Sequence, residues 1–252
     1  MRRLLLALLA VSLLGGCGGA DSSLFATAVR STQAAGGAEI AFQGTVEAAG
    51  QSIVINGSGV VEGDRAQMTM DVPGAGQMEI RADGLVMYMH SDLFGAALGG
   101  KEWMKLDMER AGESLGIDMG AMSGGQSSPA EQLKMLEKVS GGITDEGREQ
   151  IRGVETTHYS ATIDLSKDPM FDKLSELTGQ TEMPVDVWID GQQRVRRMEW
   201  EQVMRQAGVE AHARIVMEFV RFGVPVDIDI PDDDEVFDAT DLGIQSLQQQ
   251  AG

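Results

Sequence analysis

From Ala38 onward, apolar and polar side chains alternate with a period of two in one short run after another, and nothing else in the sequence restricts the fold as much. Ile40, Phe42, Gly44 and Val46 alternate with Ala41, Gln43, Thr45 and Glu47, and Met68, Met70 and Val72 with Gln67, Thr69 and Asp71. Met78 and Ile80 flank Glu79, and Met104, Leu106 and Met108 are separated by Lys105 and Asp107. A strand side chain points to the opposite face from its neighbour, so each run has one wet face and one dry face. That pattern predicts antiparallel strands, because parallel strands covered on both faces read as continuous apolar runs. The turn pairs Ala49-Gly50, Gly63-Asp64, Asp83-Gly84 and Asp190-Gly191 separate the runs at hairpin spacing. Further strands are expected at 142–152, 155–165, 185–190, 194–204 and 211–222.

Few helices interrupt this pattern. Leu24 to Gln33 places Leu24, Phe25, Ala28 and Val29 near one face, which predicts a helix over about 24–34. Ser128-Pro129-Ala130-Glu131 supplies a cap, a first-turn proline and a capping acid for a second helix over about 129–140, with Leu133, Leu136 and Val139 on one side. Asp168-Pro169 opens a third, over about 168–178, which Gly179 ends. Arg110 to Ser128, rich in Gly, Met and Ser, reads as a long mobile loop. The acidic stretch from Asp227 through Glu235 reads as a solvated edge and tail.

The first residues have a different purpose. Arg2 and Arg3 precede the apolar run Leu4 to Leu14, which is far shorter than the roughly 20 residues of a spanning helix and so reads as an export signal. Leu14-Gly15-Gly16-Cys17 resembles the lipobox of bacterial lipoproteins, in which the cysteine is acylated and cleavage falls just before it. Residues 1–16 are therefore expected to be a signal peptide, 17–23 a lipidated tether, 24–242 one folded domain and 243–252 a flexible C-terminal tail. The expected location is extracytoplasmic, at the cell membrane.

Charge and composition exclude several functions. The net charge of −19 becomes more negative once Arg2 and Arg3 leave with the signal, and no basic stripe interrupts it, so nucleic acid is not a partner. Cys17 is the only cysteine, so no internal disulfide braces the domain and its core must do so. That domain is rich in Met, with 16 in the chain against 7 Phe, 3 Trp and 2 Tyr. Met is flexible and polarizable, and adapts to irregular apolar partners. Gly112-Glu113-Ser114-Leu115-Gly116 fits the pattern of a hydrolase nucleophile, but it lacks the strand-turn-helix setting that gives the pattern meaning. His90, His158 and His212 lie too far apart in sequence for a zinc motif, and the run Asp232 to Glu235 lacks calcium-loop spacing. No catalytic residue, metal or cofactor is expected.

The order of elements, together with Lys101-Glu102-Trp103-Met104-Lys105-Leu106, the strand Gly153 to Leu165, Val187-Trp188-Ile189-Asp190-Gly191 and the ending Ile230-Pro231-Asp232, resembles the mycobacterial LppX and LprG type lipoproteins of the LolA-like and LolB-like lipid-carrier fold. The resemblance implies an α+β domain in which one large curved antiparallel sheet, a half-barrel of about ten strands, packs on a few short helices. It also implies an apolar cavity that takes the acyl chains of a lipid or glycolipid, with an envelope transporter as a further partner and the membrane reached through the N-terminal anchor. The expected lining is Met68, Met70, Met87, Met89, Met104, Leu106, Met198 and Trp200, with Leu93 to Leu98 and the segment around Met119 and Met122 as lids. The alternative is a non-enzymatic envelope interaction module, a sensor or assembly factor that uses the same sheet to contact a protein.

Overall fold

The computed structural model describes residues 23–74, 76–114, 133, 136, 139, 142–165, 181–206 and 209–250. Helix α1 (Ser23–Gln33) leads into six strands: β1 (Ala38–Ala48), β2 (Gln51–Glu62), β3 (Arg65–Val72), β4 (Gly76–Asp83), β5 (Val86–Ser91) and β6 (Trp103–Asp107). After the short helix α2 (Met108–Ser114) come β7 (Thr144–Ile151), β8 (Val154–Asp164), β9 (Glu182–Asp190), β10 (Val195–Gln206) and β11 (Val209–Phe222). The chain closes with β12 (Val236–Asp238) and helix α3 (Thr240–Gln250).

The twelve strands among the described residues form one open, curved sheet in the order β12-β6-β5-β4-β3-β2-β1-β11-β10-β9-β8-β7. It consists of two meanders, β1 to β6 and β7 to β11, joined where β1 pairs antiparallel with β11. Every pairing is antiparallel except the short parallel contact of β12 with β6. Positive φ angles at Ala49 (51°) and Gly50 (78°), and at Arg152 (50°) and Gly153 (81°), give the β1–β2 and β7–β8 hairpins tight turns whose twist matches the strands.

Two strands exceed the expected ten. Strand β2 alternates in space like the others, but Gly57 and Gly59 interrupt its inward row of Ile53, Ile55 and Val61 while Val54 and Val60 lie on the outer face, so neither face reads as clearly dry. Strand β12 has three residues, too few for a period. The acidic stretch is also more than a solvated tail. Residues 223–235 cross from β11 to β12 over the outer face of β3 to β6, Ile228 is buried, and Arg65 Nη2 donates to its carbonyl at 2.7 Å. Arg81 and Lys101 donate to the carbonyls of Asp229 and Asp234. The acidic side chains face water while their backbone straps the sheet. Within the stretch set down as a flexible tail, residues 243–250 form the greater part of α3, and Arg110 to Ser114, read as loop, belong to α2.

Helix α1 agrees with its expected span and buries Phe25, Ala28, Val29 and Thr32. Of the helix expected at 129–140, only Leu133, Leu136 and Val139 are described. All three are buried in the core, and Val139 bridges Ile163 of β8. The helix expected at 168–178 and the segment around Met119 and Met122 lie outside the described residues. No described helix is long and apolar enough to cross a membrane.

Candidate functional site

Strand register decides which side chains share the inner face. Directly paired residues point the same way, and one row crosses the sheet through Met104, Met89, Ile80, Met68, Gly59, Ile40 and Phe219. The neighbouring row runs through Met78, Met70, Gly57, Phe42, Met217, Met198 and Val187. Met87 pairs with Leu106 on one side of these rows, and Trp200 with Ile215 on the other. All eight residues expected to line a cavity therefore lie on one face of the sheet, and α1 packs on that face.

The two halves of this face differ. Over β8 to β11 it is filled: Phe25 meets Tyr159 edge-on at 6.3 Å, and the Thr32 hydroxyl accepts from Val195 N at 2.8 Å while donating to the Ala28 carbonyl at 2.7 Å. Met183, Met198, Met217 and Trp200 are at most 4% exposed there, with Leu133 and Leu136 among them. Over β3 to β6, by contrast, Met68, Met70, Met78, Met87, Met89 and Met104, with Ile80 and Leu106, are only half-buried. This half is a trough of flexible thioethers. At the β6 edge, Gly243 of α3 lies against Leu106.

Where α1 ends, a cleft of about 450 Å³ opens between Thr32, Gly36, Ala38, Val61, Leu133 and Phe219, with exposed Gln33, Glu62 and Asp64 beside them. Its volume falls within the range of about 300–1,000 Å³ usual for small-molecule sites. None of the eight expected lining residues borders it. Met78 and Ile80 belong to the trough although they were not among the eight. Their alternation around Glu79 was the available signal, and the pairing Met70–Met78 shows its meaning.

The outer face carries the charge. Over the second meander, Trp188 stacks on His158 at 4.2 Å and takes the Arg197 guanidinium at 4.8 Å, while His158 Nε2 lies 2.8 Å from Asp186. Arg152 and Arg197 pair with Glu218, and Arg197 and Arg214 with Glu199. Under the strap, Arg81 lies 4.4 Å over Trp103. Burial pushes the nearby Tyr88 phenol up, reinforced by Asp83, Asp233, Asp107 and Asp238. His90 Nδ1 bonds to the Glu102 carbonyl and His212 to Glu210, so each of the three histidines has a separate local partner. Ser114 ends α2 with its hydroxyl donating to the Arg110 carbonyl at 3.0 Å, which is a helix terminus and not a nucleophile elbow. At the β6 edge, Arg110 bonds Asp238 at 2.7 Å, and Asp107 caps α2 by accepting from Arg110 N at 3.0 Å. Leu93 to Leu98, expected as a lid, includes a single 3-10 turn at Gly95–Leu98 with Leu98 buried and Leu93 projecting at 64% exposure. Cys17 lies outside the described residues.

A twelve-stranded open sheet with a helix on its inner face defines a class of fold, and known structures share it. The crystal structure of the Mycobacterium tuberculosis lipoprotein LppX superimposes with a TM-score of 0.50 at 17% identity, covering 83% of this chain and 100% of that one. LprF from Mycobacterium bovis gives a TM-score of 0.47 at 16% identity, over 85% of this chain and 99% of that one. The fold of this protein is that of LppX, the LolA-like fold expected from the sequence. No family model matches the sequence. An uncharacterized 31.2 kDa protein from the rplA-rplJ intergenic region of Streptomyces griseus is 30% identical over 113 residues, a match covering 39% of this chain and 37% of that protein.

Proposed function

We infer that this protein is a lipid-binding lipoprotein of the cell envelope, anchored through an acylated Cys17, which holds the acyl chains of a lipid or glycolipid against the methionine trough and carries or presents them. The observation that carries this reading is the contrast within one continuous face: the second meander is filled by α1, Leu133 and Leu136, whereas six Met side chains over β3 to β6 remain partly exposed. A contiguous, partly exposed apolar face is unfavourable in water and is the kind of surface that binds apolar partners. Each acyl methylene transferred onto it contributes up to about 0.8 kcal/mol, and thioethers adapt to chains of varied shape. No bond chemistry is required. The ion pairs that dominate the outer face favour this reading over the interaction module, which calls for an apolar patch there. The name of LppX as a lipoprotein supports the anchor.

The test is lipid analysis of protein covering residues 18–252. Bound acyl lipid is expected by native mass spectrometry, and Met104→Trp, which fills the trough without adding charge, is expected to lower its amount several-fold in folded protein. Bare protein that also takes up no labelled lipid would remove the carrier reading. For the anchor, Cys17→Ser in the full chain is expected to abolish the acyl mass and release the domain from the membrane or leave the leader uncleaved. Two or more chains are needed for stable anchoring, so unchanged membrane retention without acyl mass would contradict it.

A further inference from the structure

We propose that Met68, Met70, Met78, Met87, Met89 and Met104 form a sulfoxidation site, through which a peroxide oxidant empties the trough. The effect on binding rests on the lipid-binding reading above, whereas the chemical modification does not. Three observations support it. The sequence contains one cysteine, at position 17, so throughout the folded domain sulfur is present only as thioether. Six thioethers lie on one face over four adjacent strands, with Met70 opposite Met78 and Met89 opposite Met104. These six are half-buried, whereas Met183, Met198 and Met217, on the same face of the same sheet, are at most 2% exposed. An oxidant arriving from solvent therefore reaches the trough before Met183, Met198 and Met217, which serve as an internal reference.

The chemistry is an oxygen transfer. A lone pair on the thioether sulfur attacks one oxygen of hydrogen peroxide, an S–O bond forms as the O–O bond breaks, and the departing hydroxide takes the proton from the sulfur-bound hydroxyl, leaving the sulfoxide and water. Sulfur loses two electrons and the peroxide gains them. The product, methionine sulfoxide, is polar, and methionine sulfoxide reductases return it to thioether. A flexible apolar lining thus becomes a polar one with little change of volume, and a bound acyl chain loses its apolar contacts. Loss of even two methylene-sized contacts weakens binding about tenfold.

The experiment treats purified full-length protein with graded hydrogen peroxide, maps each methionine by peptide mass and measures uptake of radiolabelled palmitic acid. The six trough residues are expected to gain oxygen ahead of Met183, Met198 and Met217, with uptake falling about tenfold in step and returning after treatment with methionine sulfoxide reductases A and B. In a variant with all six changed to Leu, which leaves no oxidisable sulfur in the lining, peroxide should leave uptake at that variant's own untreated level. If that variant does not fold, the triple change Met87→Leu, Met89→Leu and Met104→Leu should show a smaller fractional loss on peroxide treatment, each protein being compared with its own untreated uptake. Reaction of the three core methionines before the six, uptake unchanged with the six sulfoxides in place, or equal loss from the Leu variants would each overturn the proposal. If untreated protein takes up no palmitic acid, the carrier reading fails, and the order of methionine reactivity, which needs no ligand, still decides whether the trough is the oxidation site.

Discussion

Replacing Asp190 by alanine is expected to lower the stability of the domain by about 3 kcal/mol at neutral pH. The Asp190 carboxylate, at the turn between β9 and β10, is 3% exposed and accepts from the backbone N–H groups of Gln192 and Arg194 at 2.9 and 3.0 Å. It also accepts from Arg194 Nε and Nη2 and from Arg196 Nε at 3.1, 2.9 and 2.8 Å. Both guanidiniums are fixed over the ring of Phe222, at 4.6 and 4.7 Å, so they cannot simply swing away when their counter-charge is removed. Breaking a buried pair from one side costs about 3–5 kcal/mol, and the lower end applies because Arg194 and Arg196 keep 20% and 11% exposure.

The pH dependence follows from the same contacts. Burial pushes the Asp190 carboxyl up, but the hydrogen bonds from Arg194, Arg196 and Gln192 together hold it below the usual carboxylate range. A carboxyl depressed in the folded state adds stability that is fully present above its unfolded value, near about 3.9, and is lost as pH falls through the folded value. The gap between native protein and Asp190→Ala should therefore be widest at pH 7 and shrink below about pH 4. The similarly depressed Asp238 is present in both proteins and cancels in the difference. Urea unfolding at pH 7 and pH 3 measures the gap; a gap of equal size at both would show that the charge network is not its source.

The same Asp190-Gly191 pair was legible in the sequence as a turn, but not as an ion cluster, because Arg194 reaches Asp190 across the turn and Arg196 lies at the bulge between Val195 and Arg197, and residue order alone shows neither. Strand identity was legible wherever the period of two had an apolar member, as at Met68/Met70 and Met104/Leu106. It failed at β2, where Gly57 and Gly59 interrupt the inward apolar row and Val54 and Val60 lie on the outer face. The shared face of the eight candidate residues was legible strand by strand from alternation, although only the register shows that β3 and β10 present it to the same side. What alternation cannot show is how much of a dry face is covered. Met198 and Met104 carry the same pattern, yet one is buried in the core and the other half-exposed, because the helix that covers Met198 lies more than a hundred and fifty residues earlier in the chain. The backbone strap at 223–235 was hidden for a related reason: its acidic side chains face solvent, and its contacts are made by carbonyl groups that every residue carries.

The curvature that creates the trough depends on glycines that differ measurably in how much they are needed, and Gly59→Ala is expected to be the most damaging alanine substitution among them. A Cβ at Gly59 would fall 2.1 Å from the Gln67 carbonyl oxygen and 2.8 Å from Met68 Cα, both backbone atoms of β3, so the two strands must part to admit it. At Gly57 the closest atoms are Met70 Cγ and the Thr69 carbonyl oxygen, each at 2.9 Å, and one of these can move with its side chain. At Gly44 only the ring of Phe42 is near, at 3.3 Å, and a ring can tilt. Overpacking costs about 1–3 kcal/mol where the surroundings resist, which places Gly59→Ala near about 3, Gly57→Ala near about 1 and Gly44→Ala near zero. The glycines lie on the inner face, where bending brings side chains together, so opening β2 from β3 at Gly59 also flattens the trough beside Met68. Gly59→Ala should thus lose lipid uptake under conditions where it is still folded, while Gly44→Ala keeps it. Urea titration combined with the labelled-lipid assay tests the series, and equal losses of stability at all three positions would show that close backbone approach is not what selects glycine here.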